Sequence, residues 1–128
     1  LEQIHKVNSM KQMMKQTIQR FQYTFQGCRW MLNKDSKFLQ HIIMAVGVVI
    51  LNIFLGINSI QFALTMTAVF LVIITEVINT AIEYVVDLVT DEYHDLAMKA
   101  KDVAAFGVLL AAIYALIIAA IVYLPYMM

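Results

Sequence analysis

Three long apolar stretches, at about residues 38–57, 60–86 and 103–125, constrain this chain more than any other feature. A helix needs about 20 residues to cross a hydrocarbon core about 30 Å thick, and each stretch supplies that length. A bilayer core offers no water to backbone N–H and C=O groups, so a spanning segment must be a helix or part of a closed barrel. The apolar residues do not alternate as in strands, and the 128 residues include one proline and four glycines. That scarcity favours long helices over short strands and turns. The expected fold is an all-α membrane protein with three transmembrane helices.

Composition agrees. Hydrophobic residues make up 62% of the chain and charged residues 14%. Ordinary soluble domains have roughly 45–50% and about 25%. A soluble domain of this size buries only about two-thirds of its unfolded surface and needs polar residues to cover the rest. A soluble enzyme domain, a disordered tail and a nucleic-acid-binding module are therefore excluded. The formal net charge is zero, so no overall field recruits nucleic acid. The single cysteine, Cys28, rules out an intrachain disulfide framework.

Thirty-seven residues precede the first stretch, too many for a short leader, so it is expected to be a retained span. Seven of the nine basic residues also precede it: Lys6, Lys11, Lys15, Arg20, Arg29, Lys34 and Lys37. The other two, Lys99 and Lys101, lie between the second and third stretches. The positive-inside rule then places the N-terminus and the 90–102 loop in the cytoplasm. The 56–59 turn and the C-terminus lie outside, with Tyr123 and Tyr126 in the outer aromatic belt.

The segment 10–32 has a different pattern. Met10, Met13, Met14, Ile18, Phe21, Phe25 and Cys28 recur at steps of three or four, forming one helical face. Lys11, Lys15, Arg20 and Arg29 lie mostly off that face. A basic amphipathic helix joined to a span is expected to lie along the cytoplasmic membrane surface. Leu1–Ser9 fit no element and read as a remnant or disordered lead-in, which leaves 10–128 as a single membrane domain. In the third stretch Ala104, Ala111, Ala115 and Ala119 form a ridge of small residues that would let helices approach closely.

The second stretch carries charges that a plain membrane anchor has no use for. Glu76, Asn79, Thr80, Glu83 and Asp87 fall within a sector of roughly 100° on a helix. If the span starts near Ile60 on the outer side, Glu76 lies about 24 Å along it, still inside the core. An ionised carboxylate at that depth costs several kcal/mol unless it faces protein, water or a metal. Three acids on one stripe call for a counter-charge, and a divalent cation bound through oxygens would supply one. The following segment is densely ionisable: Asp91-Glu92-Tyr93-His94-Asp95, then Lys99, Lys101 and Asp102. Acids for a metal and a lysine for phosphate are parts of a phosphoryl-transfer site. No Walker-type or kinase-type glycine loop is present. On the residues alone, a cation or proton pathway fits the stripe almost as well.

The run Glu76-Val-Ile-Asn-Thr-Ala-Ile-Glu-Tyr-Val-Val-Asp87, with Asp91-Glu-Tyr-His94 and Ala100-Lys-Asp102, closely resembles the bacterial diacylglycerol kinase family. These small integral membrane lipid kinases include the undecaprenol kinases of Gram-positive bacteria. The resemblance extends from about Met10 to the end. It implies a homotrimer of protomers with a surface helix and three membrane helices, sites shared between protomers, and a bacterial plasma-membrane location. It implies ATP as co-substrate and Mg2+ as cofactor. The stretch Val86-Asp-Leu-Val-Thr-Asp91 and the Leu124-Pro125 ending look closer to the Gram-positive branch, which favours undecaprenol over diacylglycerol as acceptor. A small ion-coupled transporter subunit and a non-catalytic membrane interaction protein are the rivals from other classes.

The resemblance also implies roles. Glu76 matches the catalytic base that takes the acceptor hydroxyl proton, and it contacts the lipid. Asn79 matches a residue that helps hold the reacting groups. Glu83 matches a ligand of the magnesium bridging the ATP phosphates, and Asp35 stands where a second metal-binding acid, usually glutamate, is found. Tyr23, Glu92, Tyr93, His94, Lys101 and Asp102 match nucleotide contacts. Gly27 and Arg29 match the surface-helix pattern, Arg29 on the lipid side. Three positions depart from the pattern: Asp35 is one methylene shorter, Lys37 stands where Gram-positive relatives often have asparagine, and Gln16 replaces an expected basic residue.

The charge distribution makes the topology testable. In a Cys28→Ser background, Met128→Cys is expected to react with an impermeant thiol reagent added outside intact cells. Reaction only after lysis would reverse the assigned orientation.

Overall fold

The computed structural model describes residues 1–128 as four helices: α1 (Glu2–Lys34), α2 (Lys37–Leu55), α3 (Ser59–Val89) and α4 (Asp95–Met127). They divide into two units, Leu1–Ser36 and Lys37–Met128. The helices α2, α3 and α4 are each long and apolar enough to cross a membrane, and the chain is a membrane protein.

The first unit is α1. It begins at Glu2, so Leu1–Ser9 are not a disordered lead-in: residues 2–9 are helical and continuous with the amphipathic segment. The reason lies in the spacing. Ile4, Val7, Met10 and Met14 continue the three-to-four step of Ile18, Phe21 and Phe25, and Glu2 complements the positive end of the helix dipole. All seven of those apolar side chains are exposed.

In the second unit, a tight turn joins α2 to α3. Gly56 adopts φ +62°, the left-handed conformation that a Cβ would disfavour. Its N–H reaches Ile53 O at 3.2 Å and that of Ile57 reaches Asn52 O at 3.3 Å, the Schellman pair that ends a helix. Two residues later Asn58 opens α3 with a capping box. Its side chain accepts from Gln61 N at 2.9 Å, and its own N–H donates to Gln61 Oε1 at 3.3 Å.

The connection from α3 to α4 is only residues 90–94, shorter than the expected 90–102 loop. Residues 95–102 form the first turns of α4, so the helix starts well before residue 103. His94 caps it, its Nδ1 accepting from Leu96 N at 3.2 Å, and a Lys99–Asp95 pair at 2.7 Å supports the first turn. These charged turns carry the helix beyond its apolar segment. At the other end α4 runs two residues past Pro125. The observed α2 and α3 differ from the expected 38–57 and 60–86 by no more than three residues at either end.

The main seam lies between antiparallel α3 and α4. Ala68, Ile118 and Val122 form its buried core, with Ile57, Leu64, Tyr114, Ala115 and Tyr123 packed against them. Ala111 and Ala115, from the expected alanine ridge, fall on this seam. Near the α2–α3 turn, one polar side chain ties all three spans together. Asn52, 1% exposed, donates through Nδ2 to Thr65 Oγ1 at 2.7 Å, while Tyr123 Oη donates to Asn52 Oδ1 at 2.6 Å. Thr65 passes its own proton to Phe62 O at 2.9 Å. Tyr126 Oη donates to Gln61 Oε1 at 3.1 Å. The two tyrosines assigned to an aromatic belt thus serve as struts between α4 and the α2–α3 hairpin.

Interhelical hydrogen bonds in membranes contribute about 0.6 kcal/mol on average and up to about 1.7 kcal/mol. Tyr123→Phe, which leaves Asn52 Oδ1 without its donor, is expected to lower stability by about 1 kcal/mol. Reversible unfolding in mixed micelles measures this; an unchanged unfolding free energy would show that the contact carries no weight.

Candidate active site

The face of α3 that packs against its neighbours is also the acidic one. Its buried residues are Thr65, Ala68, Glu76, Asn79 and Thr80. The core begins on this face at Thr65 and Ala68 and gives way, within three turns, to carboxylate and carboxamide. Glu76 is 8% exposed and Asn79 7%. Farther along, Glu83 is half-buried and Asp87 is exposed. The stripe therefore grades from buried to solvated over residues 76–87. The seam that joins Ala68 to Ile118 and Val122, and Asp87 to Lys101, puts the turn of Glu76 level with that of Ala111, also buried. A small residue there leaves room beside the acid.

Asn79 organises the middle of the stripe. Its Nδ2 donates to Glu83 Oε1 at 3.1 Å, one turn on. Its Oδ1 is buried without a hydrogen-bond partner. An unsatisfied buried acceptor costs about 1–3 kcal/mol, and such groups concentrate where a ligand completes them. Here the ligand must be a donor or a cation. No group of three histidine, cysteine or acidic residues forms a ready-made metal cage. Magnesium does not need one, since one or two carboxylates suffice when phosphates and waters complete the octahedron. Glu83 and the Asn79 carbonyl are hard oxygen donors of the right kind.

Beyond the stripe, a cleft of about 290 Å³ opens between the end of α3 and the start of α4. It brings together Asp87, Glu92, Tyr93, His94, Lys101 and Asp102. Thr90 shapes the connecting loop by accepting from Glu92 N at 3.2 Å. Lys101 Nζ lies 2.6 Å from Asp87 Oδ1, with side chains 41% and 56% exposed, a pair worth at most about 1 kcal/mol. It is weak enough for Lys101 to exchange Asp87 for a phosphate. Four of the lining residues are acids, so a polyphosphate enters this cleft favourably only with a cation.

Five of the six sequence-identified nucleotide residues thus converge on one cleft, next to the stripe. The remaining one, Tyr23, lies on α1 with Arg29, both exposed. Asp35 follows that helix in extended conformation, φ −159°, ψ 179°. The Lys101–Asp87 pair joins the facing ends of the two antiparallel helices, where the sequence already puts Lys101 close to Glu83 and Asp87. Asn52 and Thr65 were missed. An asparagine within an apolar run is a signal for Asn52 alone, and no spacing links it to Thr65 or Tyr123.

A prokaryotic diacylglycerol kinase description matches residues 22–123, most of the chain and all of the stripe and cleft. The chain belongs to this family. It is 36% identical over 95 residues to the diacylglycerol kinase of Escherichia coli (strain K12), covering 74% of this chain and 78% of that protein. With the diacylglycerol kinase of Synechocystis it shares 40% identity over 106 residues, covering 82% and 61%. With the undecaprenol kinase of Bacillus subtilis (strain 168) it shares 34% over 91 residues, covering 71% and 74%. The protein is accordingly a membrane lipid kinase with ATP as co-substrate, and the transporter and non-catalytic readings fall away.

His94 both caps α4 and lines the cleft. Its Nδ1 caps α4, so the neutral ring carries its proton on Nε2, free to donate into the cleft. His94→Asn preserves a capping oxygen and removes that donor. It is expected to leave stability nearly unchanged and to raise KM for ATP several-fold. Loss of stability with unchanged KM would make His94 a cap alone.

Proposed function

We propose that the protein transfers the γ-phosphoryl group of ATP to the hydroxyl of undecaprenol, giving undecaprenyl phosphate and ADP. The observation that carries this reading is the graded stripe on α3. A carboxylate buried among apolar residues meets an acceptor that itself lies in the membrane, and the same face runs outward to a cleft suited to a nucleotide. Diacylglycerol is the second acceptor, because relatives of both names match at similar identity, 36% and 34%.

In this reading Glu76 accepts the hydroxyl proton as the lipid oxygen attacks the γ-phosphorus and the bond to ADP breaks. The buried Asn79 carboxamide orients the hydroxyl or the cation beside it, and Asn79 Nδ2 holds the Glu83 carboxylate in place. Lys101 turns from Asp87 to the phosphates, while Glu92, Tyr93, His94 and Asp102 form the rest of the nucleotide cleft. Glu83 would hold the magnesium, which would supply positive charge against the phosphates. Positioning and electrostatics do most of the work in such transfers. The proposed roles of Tyr23, Arg29 and Asp35 rest on the resemblance of their motifs alone.

The exposed apolar face of α1, from Met10 to Phe25, supports its lying on the cytoplasmic membrane surface, with the N-terminus inside and the C-terminus outside. The working assembly is a homotrimer with shared sites, as the family resemblance implies.

The test is ATP consumption by protein in mixed micelles, with undecaprenol and diacylglycerol offered separately. The expected result is a higher kcat/KM with undecaprenol; the reverse order would make diacylglycerol the acceptor. Glu76→Gln keeps size and polarity but removes the basic oxygen. It is expected to lower the saturated rate by about 10²-fold or more while MgATP binding persists. Retention of most of that rate would remove Glu76 as the base.

A further inference from the structure

The first half of α1 takes no part in the chemistry described so far, since no residue given a role in the reaction precedes Tyr23. Yet residues 4–21 are regular helix with an ordered distribution of side chains. At about 100° per residue they sort into three sectors. The apolar residues from Ile4 to Phe21 share one face, and all of them are exposed. Thr17 falls on the same face, but its hydroxyl donates to Met13 O at 2.9 Å, so its proton needs no water. His5, Asn8, Ser9, Gln12, Gln16 and Gln19 fill the opposite, outward face.

The charges lie between those two faces. Lys11 and Lys15 border the apolar face on one side, Lys6 and Arg20 on the other, each about 60–120° from its centre. The outward face holds no lysine, arginine, aspartate or glutamate. Glu2, the one acid before Asp35, is within a turn of Lys6 alone, so Lys11, Lys15 and Arg20 have no carboxylate one turn away. Uncompensated positive charge along the borders of an apolar face fits one kind of surface. When such a helix sinks its apolar face to headgroup depth, the flanking cations come level with the lipid headgroups, and long stems let the charges stay there. A nucleic acid or an acidic protein arriving from the cytoplasm would meet the outward face, which carries no such charge.

We propose that residues 4–21 of α1 are an anchor for anionic lipid: Lys6, Lys11, Lys15 and Arg20 bind the headgroups of anionic phospholipids, and the apolar face enters the bilayer stably only where such lipids are present. This anchor depends on α1 lying along the membrane surface, as proposed, and specifies the charge of that surface. Attachment of a surface helix sums apolar burial and attraction to anionic lipid. Each Lys or Arg held near an anionic surface raises the ratio of docked to undocked helix about fivefold. Screening over about 8 Å at physiological salt confines that gain to charges at the interface, which is where the flanks put them.

The test uses the full chain in lipid nanodiscs, in a Cys28→Ser background, with a fluorophore at Met14→Cys on the apolar face or at Gln12→Cys on the outward face. Both positions are exposed. A fixed share of acyl-brominated phosphatidylcholine quenches the fluorophore when it enters the bilayer, and phosphatidylglycerol replaces the remaining phosphatidylcholine stepwise. The Met14 probe is expected to be quenched as phosphatidylglycerol is added and released again at about 0.5 M salt, while the Gln12 probe stays bright. A charge-shifted variant, Lys11→Gln with Gln12→Lys and Lys15→Gln with Gln19→Lys, keeps net charge and helix propensity but moves two cations off the flanks. Its ratio of docked to undocked α1 is expected to be at least about fivefold lower at the lipid composition that half-docks the unshifted chain. Quenching at Met14 as strong without phosphatidylglycerol as with it would overturn the anionic anchor and leave α1 on the surface. Absence of quenching in every bilayer would remove the surface placement as well, and a charge-shifted variant that docks like the unshifted chain would overturn the role of the flanks.

Discussion

The fold depends on one face of α3 serving two purposes. Helices in a bilayer gain nothing from hiding apolar surface from water, because the surrounding lipid is equally apolar. They associate by close packing and by hydrogen bonds, and α3 offers both on a single face: Ala68 for packing, Thr65 for bonding. Three turns along, that face carries Glu76, Asn79 and Glu83. A carboxylate here cannot snorkel to water without leaving the interface that holds α3 to α4. Its burial is thus a consequence of the packing, and the proposed reactivity of Glu76 is a consequence of its burial.

The two ends of the three-helix unit are built from different chemistry. Near the α2–α3 turn, every strong restraint is internal: a Schellman turn, a capping box and the Asn52 clasp, each completed by side chains or backbone of this chain. Toward the other end lie the exposed, exchangeable Lys101–Asp87 pair and the unsatisfied Asn79 Oδ1. A rigid end and an unsatisfied end divide stability from ligand binding. The second suits a site that must take in a charged nucleotide and a lipid hydroxyl and let both products go.

Much of this was legible in the sequence, for physical reasons that differ by element. Predominantly apolar stretches of about 20 residues leave a helix few alternatives, so the three spans were plain. The stripe was legible because Glu76, Asn79, Glu83 and Asp87 repeat at helical steps within apolar sequence. The start of α4 was not, because residues 95–102 are charged and resemble a loop until His94 is seen to cap them and Lys99 to pair with Asp95. The N-terminal turns were missed for the converse reason: Ile4 and Val7 continue the stripe of α1, but too few residues stand there to display a period. The clasp lay beyond sequence reasoning, because Asn52, Thr65 and Tyr123 are brought together only by the hairpin and the return of α4.

If Glu76 is retained for chemistry, the fold should do better without it. An isolated buried carboxylate costs more than it returns, and replacing buried charge with a well-packed apolar side chain is often stabilising. The most direct measurement is the unfolding free energy and lipid-kinase rate of Glu76→Met, determined on the same preparation. Stability is expected to rise by about 1 kcal/mol or more while phosphorylation of the lipid is lost. A variant that loses stability along with activity would contradict it, because the carboxylate would then be holding the helices together.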